Sequence, residues 1–143
     1  MTIKSFRGNI ADGGQERIYL AGGDGNKGYK IVKLQTIIDE PAAVDSEATL
    51  KIYKVKQASA TSTINFEDET LLGVSYTRTG SGSSEMTDDV VIFDSEVVNQ
   101  DLYITAVEPI STRSNNYYIE LEEVTMPNAE TAVVNFNAAL IHT

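Results

Sequence analysis

Apolar and polar side chains alternate with a period of two through many short segments of this sequence, and no helical period is sustained for three turns. The clearest case is residues 116–124 (NYYIELEEV). There Tyr117, Ile119 and Leu121 fall on one side of a strand, while Tyr118, Glu120 and Glu122 fall on the other, as in a sheet with one wet face. Seven further segments read as strands: 17–21 (RIYLA), 29–38 (YKIVKLQTII), 50–55 (LKIYKV), 71–77 (LLGVSYT), 90–93 (VVIF), 102–107 (LYITAV) and 132–138 (AVVNFNA). In the last of these, Val134, Phe136, Ala138 and Leu140 alternate with Val133, Asn135, Asn137 and Ala139; a short helix over 129–139 is the competing reading. Short strands spaced about ten to fifteen residues apart and joined by Gly, Ser, Asn and Asp predict an all-β chain, a single-domain antiparallel β-sandwich of jelly-roll-like kind.

The punctuation between these segments refines the expectation. The run 22–28 (GGDGNKG) reads as a turn or loop, and Pro41 closes the strand that follows it. Lys51, Lys54 and Lys56 suggest that the segment 50–55 is a solvated or edge strand. Residues 57–63 (QASATST) read as a loop or weakly paired edge, and Gly73 marks a bulge or a close backbone approach. Residues 79–87 (TGSGSSEMT) read as a long mobile loop. With 143 residues the chain suffices for one ordinary core. The expected organisation is an N-terminal arm over 1–14, a sandwich over 15–126, and a C-terminal strand or tail over 127–143.

Composition removes several functions. No apolar run approaches the roughly 20 residues of a membrane-spanning helix, and residues 1–14 lack the apolar stretch of a signal peptide. The chain is therefore expected to remain in the cytoplasm or to be packaged from it. It holds no cysteine, which excludes disulfides, zinc–thiolate sites and thiol nucleophiles. Its net charge is −10, unevenly spread. Residues 1–60 carry nine of the eleven Lys and Arg against seven acids, a net of +2, whereas residues 61–143 carry two against fourteen, a net of −12. An acidic chain repels the phosphate backbone, so no nucleic-acid partner is expected. The asymmetry either steers one copy's basic face onto another's acidic face or vanishes when the two halves interleave in one sheet.

Candidate chemistry is sparse. Residues 23–28 (GDGNKG) match a G-x-G-x-x-G, but the last glycine opens a β-branched segment instead of the helix that would receive a pyrophosphate, so a hairpin loop is expected in place of nucleotide binding. Three carboxylate clusters, Glu67-Asp68-Glu69, Asp88-Asp89, and Glu120 with Glu122-Glu123, lack the spacing of a calcium loop and read as solvated faces. His142, the one histidine, is penultimate and a poor general base. With no cysteine to replace it, nucleophilic triads have no other central member. Neither an enzyme nor a cofactor or metal site is expected.

Four phrases carry a family resemblance: GYKIVKLQ at 28–35, LKIYKVKQ at 50–57, IFDSEVVNQDLYIT at 92–105, and NYYIELEEV at 116–124. Together they resemble a pattern in small virion proteins of marine short-tailed bacteriophages. The resemblance covers roughly residues 28–124, leaves 1–14 and the tail after Met126 unmatched, and holds no catalytic signature. It implies a structural component of the virion, with other virion proteins, above all the major capsid protein, as partners and a homo-oligomer as its state. A head decoration or cement protein is the leading expectation; a tail, collar or fibre-attachment component, or a host-surface glycan-binding module, are the alternatives. The residues expected at interfaces are Thr2, Ile3, Lys4, Phe6 and Arg7 in the first arm, the lysines Lys51, Lys54 and Lys56, and Val134, Phe136, Leu140 and Ile141 in the tail.

Overall fold

The computed structural model describes residues 2–20, 27–41, 45–79, 86–93 and 96–125, and among them every regular element is a β-strand. In chain order these are β1 (Thr2–Ile10), β2 (Gly14–Ile18), β3 (Lys27–Ile38), β4 (Ser46–Tyr53), β5 (Leu71–Thr79), β6 (Met86–Ile92), β7 (Leu102–Val107) and β8 (Asn115–Thr125). They form two antiparallel sheets, ordered β1-β8-β3 and β2-β7-β4-β5-β6. The fold is a single-domain sandwich, as the alternation predicts.

Its wiring is that of a long hairpin rolled up on itself. β4 pairs with β5 at the centre of the hairpin, β2 pairs with β7, and β1 pairs with β8. Rolling then brings β8 beside β3 and β7 beside β4. This nesting is the jelly-roll scheme, with one departure: β6 is hydrogen-bonded to β5 alone, so β3 and β6 each end a sheet. At the start of β3, Tyr29 forms an isolated antiparallel bridge with Val98, which lies in the segment between β6 and β7.

The core lies between the sheets. Ile31, Leu34, Ile119 and Leu121 from the smaller sheet face Leu50, Ile52, Leu102, Ile104 and Ala106 from the larger. Each such side chain contributes on the order of 1.5–3 kcal/mol on burial. The β5 strand stays in this layer by means of a bulge: Ile52 pairs with Gly73 but Tyr53 pairs with Leu71, leaving Leu72 as the extra residue. A side chain at Gly73 would press on Val91 O at 3.3 Å, the close approach that the sequence suggested. At the tight turn from β1 to β2, Gly13 takes φ +80° and Gly14 N donates to Ala11 O at 2.8 Å.

Two expectations are corrected. The segment expected to be an N-terminal arm is β1, a full edge strand registered from Thr2 opposite Glu123 to Ile10 opposite Asn115. The segment of 50–55 lies mostly in β4, which is a central strand and not an edge, because β7 and β5 flank it. Residues 57–63, left open as a loop or a weak edge, are loop. The strand or helix expected over 129–139, with Val134, Phe136, Leu140 and Ile141, lies outside the described residues, as do His142 and residues 22–26 of the glycine run. The loop expected over 79–87 falls mainly on 80–85, also outside them, while Met86 and Thr87 open β6.

Candidate functional site: the sheet edges and the end cleft

The polar side chains divide into those that hold the fold and those that face outward. Lys51 shows the first kind most clearly. It is 1 % exposed, on the outer face of β4, opposite Val74. The long β4–β5 loop covers it: Lys51 Nζ donates to Thr61 Oγ1 at 3.1 Å and to Thr63 O at 2.6 Å. Burial pushes its pKa down, with Asp68 opposing that shift. The same loop places Phe66 edge-on to Phe93, ring centroids 5.4 Å apart, over a small outer cluster of Tyr53, Leu71 and Val74. Of the three lysines expected to act together, then, Lys51 is internal. Lys54 is half-buried and pairs with Glu96 at 3.7 Å, and Lys56 alone is exposed.

Carboxylates fasten the loops at the end of the sandwich where β4 and β8 begin. Glu108 is fully buried and accepts from Glu47 N at 2.7 Å, from Ser111 N at 2.6 Å and from the Ser111 hydroxyl, with Arg113 N at 3.4 Å. Burial alone would raise its pKa, but these hydrogen bonds outweigh that effect and hold the carboxyl below its usual range. Asp12 accepts from Glu108 N at 2.7 Å, and Arg113 pairs with Asp39 at 2.6 Å and Glu40 at 2.9 Å. At the other end Asp101 accepts from Leu20 N at 2.7 Å and pairs with Arg17. Sequence reading missed Asp12, Asp101 and Glu108 because a lone carboxylate in a loop looks solvated until the loop's backbone donors are seen to converge on it.

The charge halves of the sequence interleave in space. On the outer face of the smaller sheet Lys30 stands opposite Glu122 and Lys33 opposite Glu120, while Tyr118 donates to Glu120 at 2.7 Å. On the inner face Glu123 sits between Lys27 at 3.5 Å and Lys4 at 3.8 Å. The acidic strand β8 is thus flanked by the more basic β1 and β3. The other two carboxylate clusters are equally ordinary: Asp68 caps its own turn by accepting from Thr70 N at 2.9 Å, and Asp88 accepts from the Thr77 hydroxyl at 2.8 Å. Among the described residues no group of three metal-ligating side chains converges.

A cleft of about 640 Å³ opens at the Lys27 end, lined by Lys4, Ser5, Phe6, Tyr19, Leu20, Lys27 and Tyr29. Tyr19 is 73 % exposed, and the Arg17 guanidinium lies 4.7 Å from its ring centroid. The motif glycine Gly28 enters β3 here, opposite Val124, so it opens a strand and no helix.

The lateral edges remain. β1 and β6 lie at opposite sides of the sandwich, β1 over β2 and β6 beside β5. Thr2, Ile3, Lys4, Ser5 and Arg7 are exposed along β1, with Phe6 half-buried, so the five interface residues expected in the N-terminal segment share one edge strand. In β6 every residue from Thr87 to Val91 is exposed, and the strand ends the larger sheet. The chain matches no protein-family model, and no curated protein matches it.

Proposed function

We propose that the chain is a non-enzymatic structural protein of a bacteriophage particle, acting as a head decoration or cement protein bound to the major capsid protein. The observation that carries this reading is the contrast between interior and edge. Among the described residues, buried polar groups such as Lys51, Asp101 and Glu108 fix loops, whereas two long edge strands lie open at opposite sides. Open edges offer rows of backbone donors and acceptors to a neighbour, and natural folds leave them uncovered where something is to be joined. A protein that buries surface across adjacent shell subunits lowers the free energy of the closed shell by mass action. The phrase pattern over 28–124 supports the same reading.

Copy number tests it. Quantitative mass spectrometry of purified particles is expected to give a count in proportion to the major capsid protein. A count of about six or twelve per particle would move the chain to the tail or collar, and its absence from particles would overturn the virion reading altogether.

A further inference from the structure

The open side of β1 matches itself. Across the β3–β8 ladder, Asp39 N donates to Ser114 O at 3.1 Å. Backbone groups alternate sides along a strand, so Asn116, Tyr118, Glu120 and Glu122 also turn toward β3, while Asn115, Tyr117, Ile119, Leu121 and Glu123 turn toward β1. Their partners in β1 are Ile10, Gly8, Phe6, Lys4 and Thr2. The backbone groups of Ile3, Ser5, Arg7 and Asn9 are left pointing out of the edge, and among the described residues no strand pairs with them. We infer that β1 pairs antiparallel with β1 of a second copy, closing a symmetric dimer through the smaller sheet.

One register uses the whole strand, Thr2–Ile10. With Phe6 opposite Phe6 of the second copy, Ser5 falls opposite Arg7, Lys4 opposite Gly8, Ile3 opposite Asn9 and Thr2 opposite Ile10. The outward-turned residues meet one another, Ser5 with Arg7 and Ile3 with Asn9, and exchange the hydrogen bonds of an antiparallel ladder. The faces agree as well. Phe6 packs on the core cluster and Gly8 lies against the Tyr117 ring, both on the inner face, whereas Arg7 stands opposite Tyr118 and Ser5 opposite Glu120 on the outer face. A shift by one residue would set inner positions against outer ones and place outward-turned groups opposite groups already bonded to β8.

Charge favours the same register. Arg7 has no ion-pair partner among the described residues. In the dimer it stands opposite Ser5 of the second copy, and Glu120 of that copy lies on the same face one strand further on, roughly 5 Å beyond the serine. The arginine stem spans the small serine and brings its guanidinium to a carboxylate that accepts from Tyr118. Lys4 meets Gly8, so no cation stands directly opposite another. Phe6, half-buried in the single chain, is covered by its own copy in the closer, non-hydrogen-bonded kind of pair. The other open edge lacks this match: β6 paired with itself over Met86–Ile92 sets Asp89 against Asp89. Because β1 meets β1, the contact is isologous and closes at two copies, leaving β6 open in each.

The pairing does not depend on a place in a virion, so it is tested on the purified chain alone. Sedimentation velocity over a concentration series is expected to show monomer and dimer and nothing larger. Ser5→Pro, which removes an outward-turned donor and spares the β8 ladder, should abolish the dimer. Arg7→Glu should weaken it by about tenfold, and adding Glu120→Arg should restore it. The chain has no cysteine, so a single introduced one reports the register: Phe6→Cys should cross-link the dimer under mild oxidation, and Lys4→Cys, set opposite Gly8, should not. Circular dichroism verifies that each variant is folded. A chain that stays monomeric at every concentration overturns the inference, as does a dimer that Ser5→Pro leaves intact or one that Lys4→Cys links and Phe6→Cys does not. None of these results touches the copy-number test.

Discussion

A lysine enclosed by its own loop makes a specific thermodynamic demand. Lys51 is buried under Thr61 and Thr63, and its ammonium binds its proton less tightly than in the unfolded chain. Between the depressed folded pKa and the ordinary value of 10.5, the unfolded state therefore holds more protons than the folded one, and this residue's contribution to stability rises with pH. Below the folded pKa both states are protonated and the full penalty of burying the charge applies. Urea midpoints of the wild type, referred to Lys51→Met, are expected to rise from pH 7 to pH 10; the variant keeps the tyrosines, whose titration then cancels. A falling difference would mean that the two hydrogen bonds stabilise the ammonium more than burial penalises it. The sequence placed Lys51 with Lys54 and Lys56 on a wet edge because a lysine triplet in a strand usually marks one. What overrode that pattern was the 54–70 loop, whose path across the sheet is set by contacts far along the chain, such as Phe66 on Phe93.

Among the elements, β1 and β8 fit through a missing side chain. Gly8 stands opposite Tyr117, and a Cβ placed there would lie 2.7 Å from the Tyr117 ring. The ring lies across the glycine and is buried by it, an aromatic covering a gap in the neighbouring strand. Gly8→Ala must displace a buried ring, and it is expected to lower stability by about 1–3 kcal/mol in urea unfolding. The alternation of Tyr117, Ile119 and Leu121 against Tyr118, Glu120 and Glu122 was legible because a one-residue slip would reverse every side chain, and β3, β5 and β7 were legible for the same reason. β1 was not. Its sequence TIKSFRGNI keeps one apolar residue in three and ends in Gly-Asn-Ile, and an edge strand exposed over most of its length has little need of a regular apolar face. The interface residues Thr2, Ile3, Lys4, Phe6 and Arg7 are therefore read from sequence as part of an arm, although they lie in a fixed strand. Their edge position depends on β8, some 110 residues away in the chain, as Asn9 donating to Asn116 illustrates with a separation of 107.

At the scale of the molecule, the nested ladders join β1 to β8 and β2 to β7, the first two described strands to the last two. The smaller sheet consists of β1, β8 and β3, with β8 in the middle. During synthesis at about 5–20 residues per second, β1 and β3 leave the ribosome well before the strand that joins them. Until then both have no partner in their own sheet. A chain halted at residue 114 should accordingly be cut by protease within β1 and β3 under conditions where the complete chain resists, and resistance there would show that the smaller sheet forms without its centre. Refolding of the whole chain belongs with the slow, β-rich topologies of the millisecond-to-second range. Translation order thus makes β8 a completion signal for the smaller sheet: the basic edge at β1 becomes a defined surface only after nearly all of the described chain has been made.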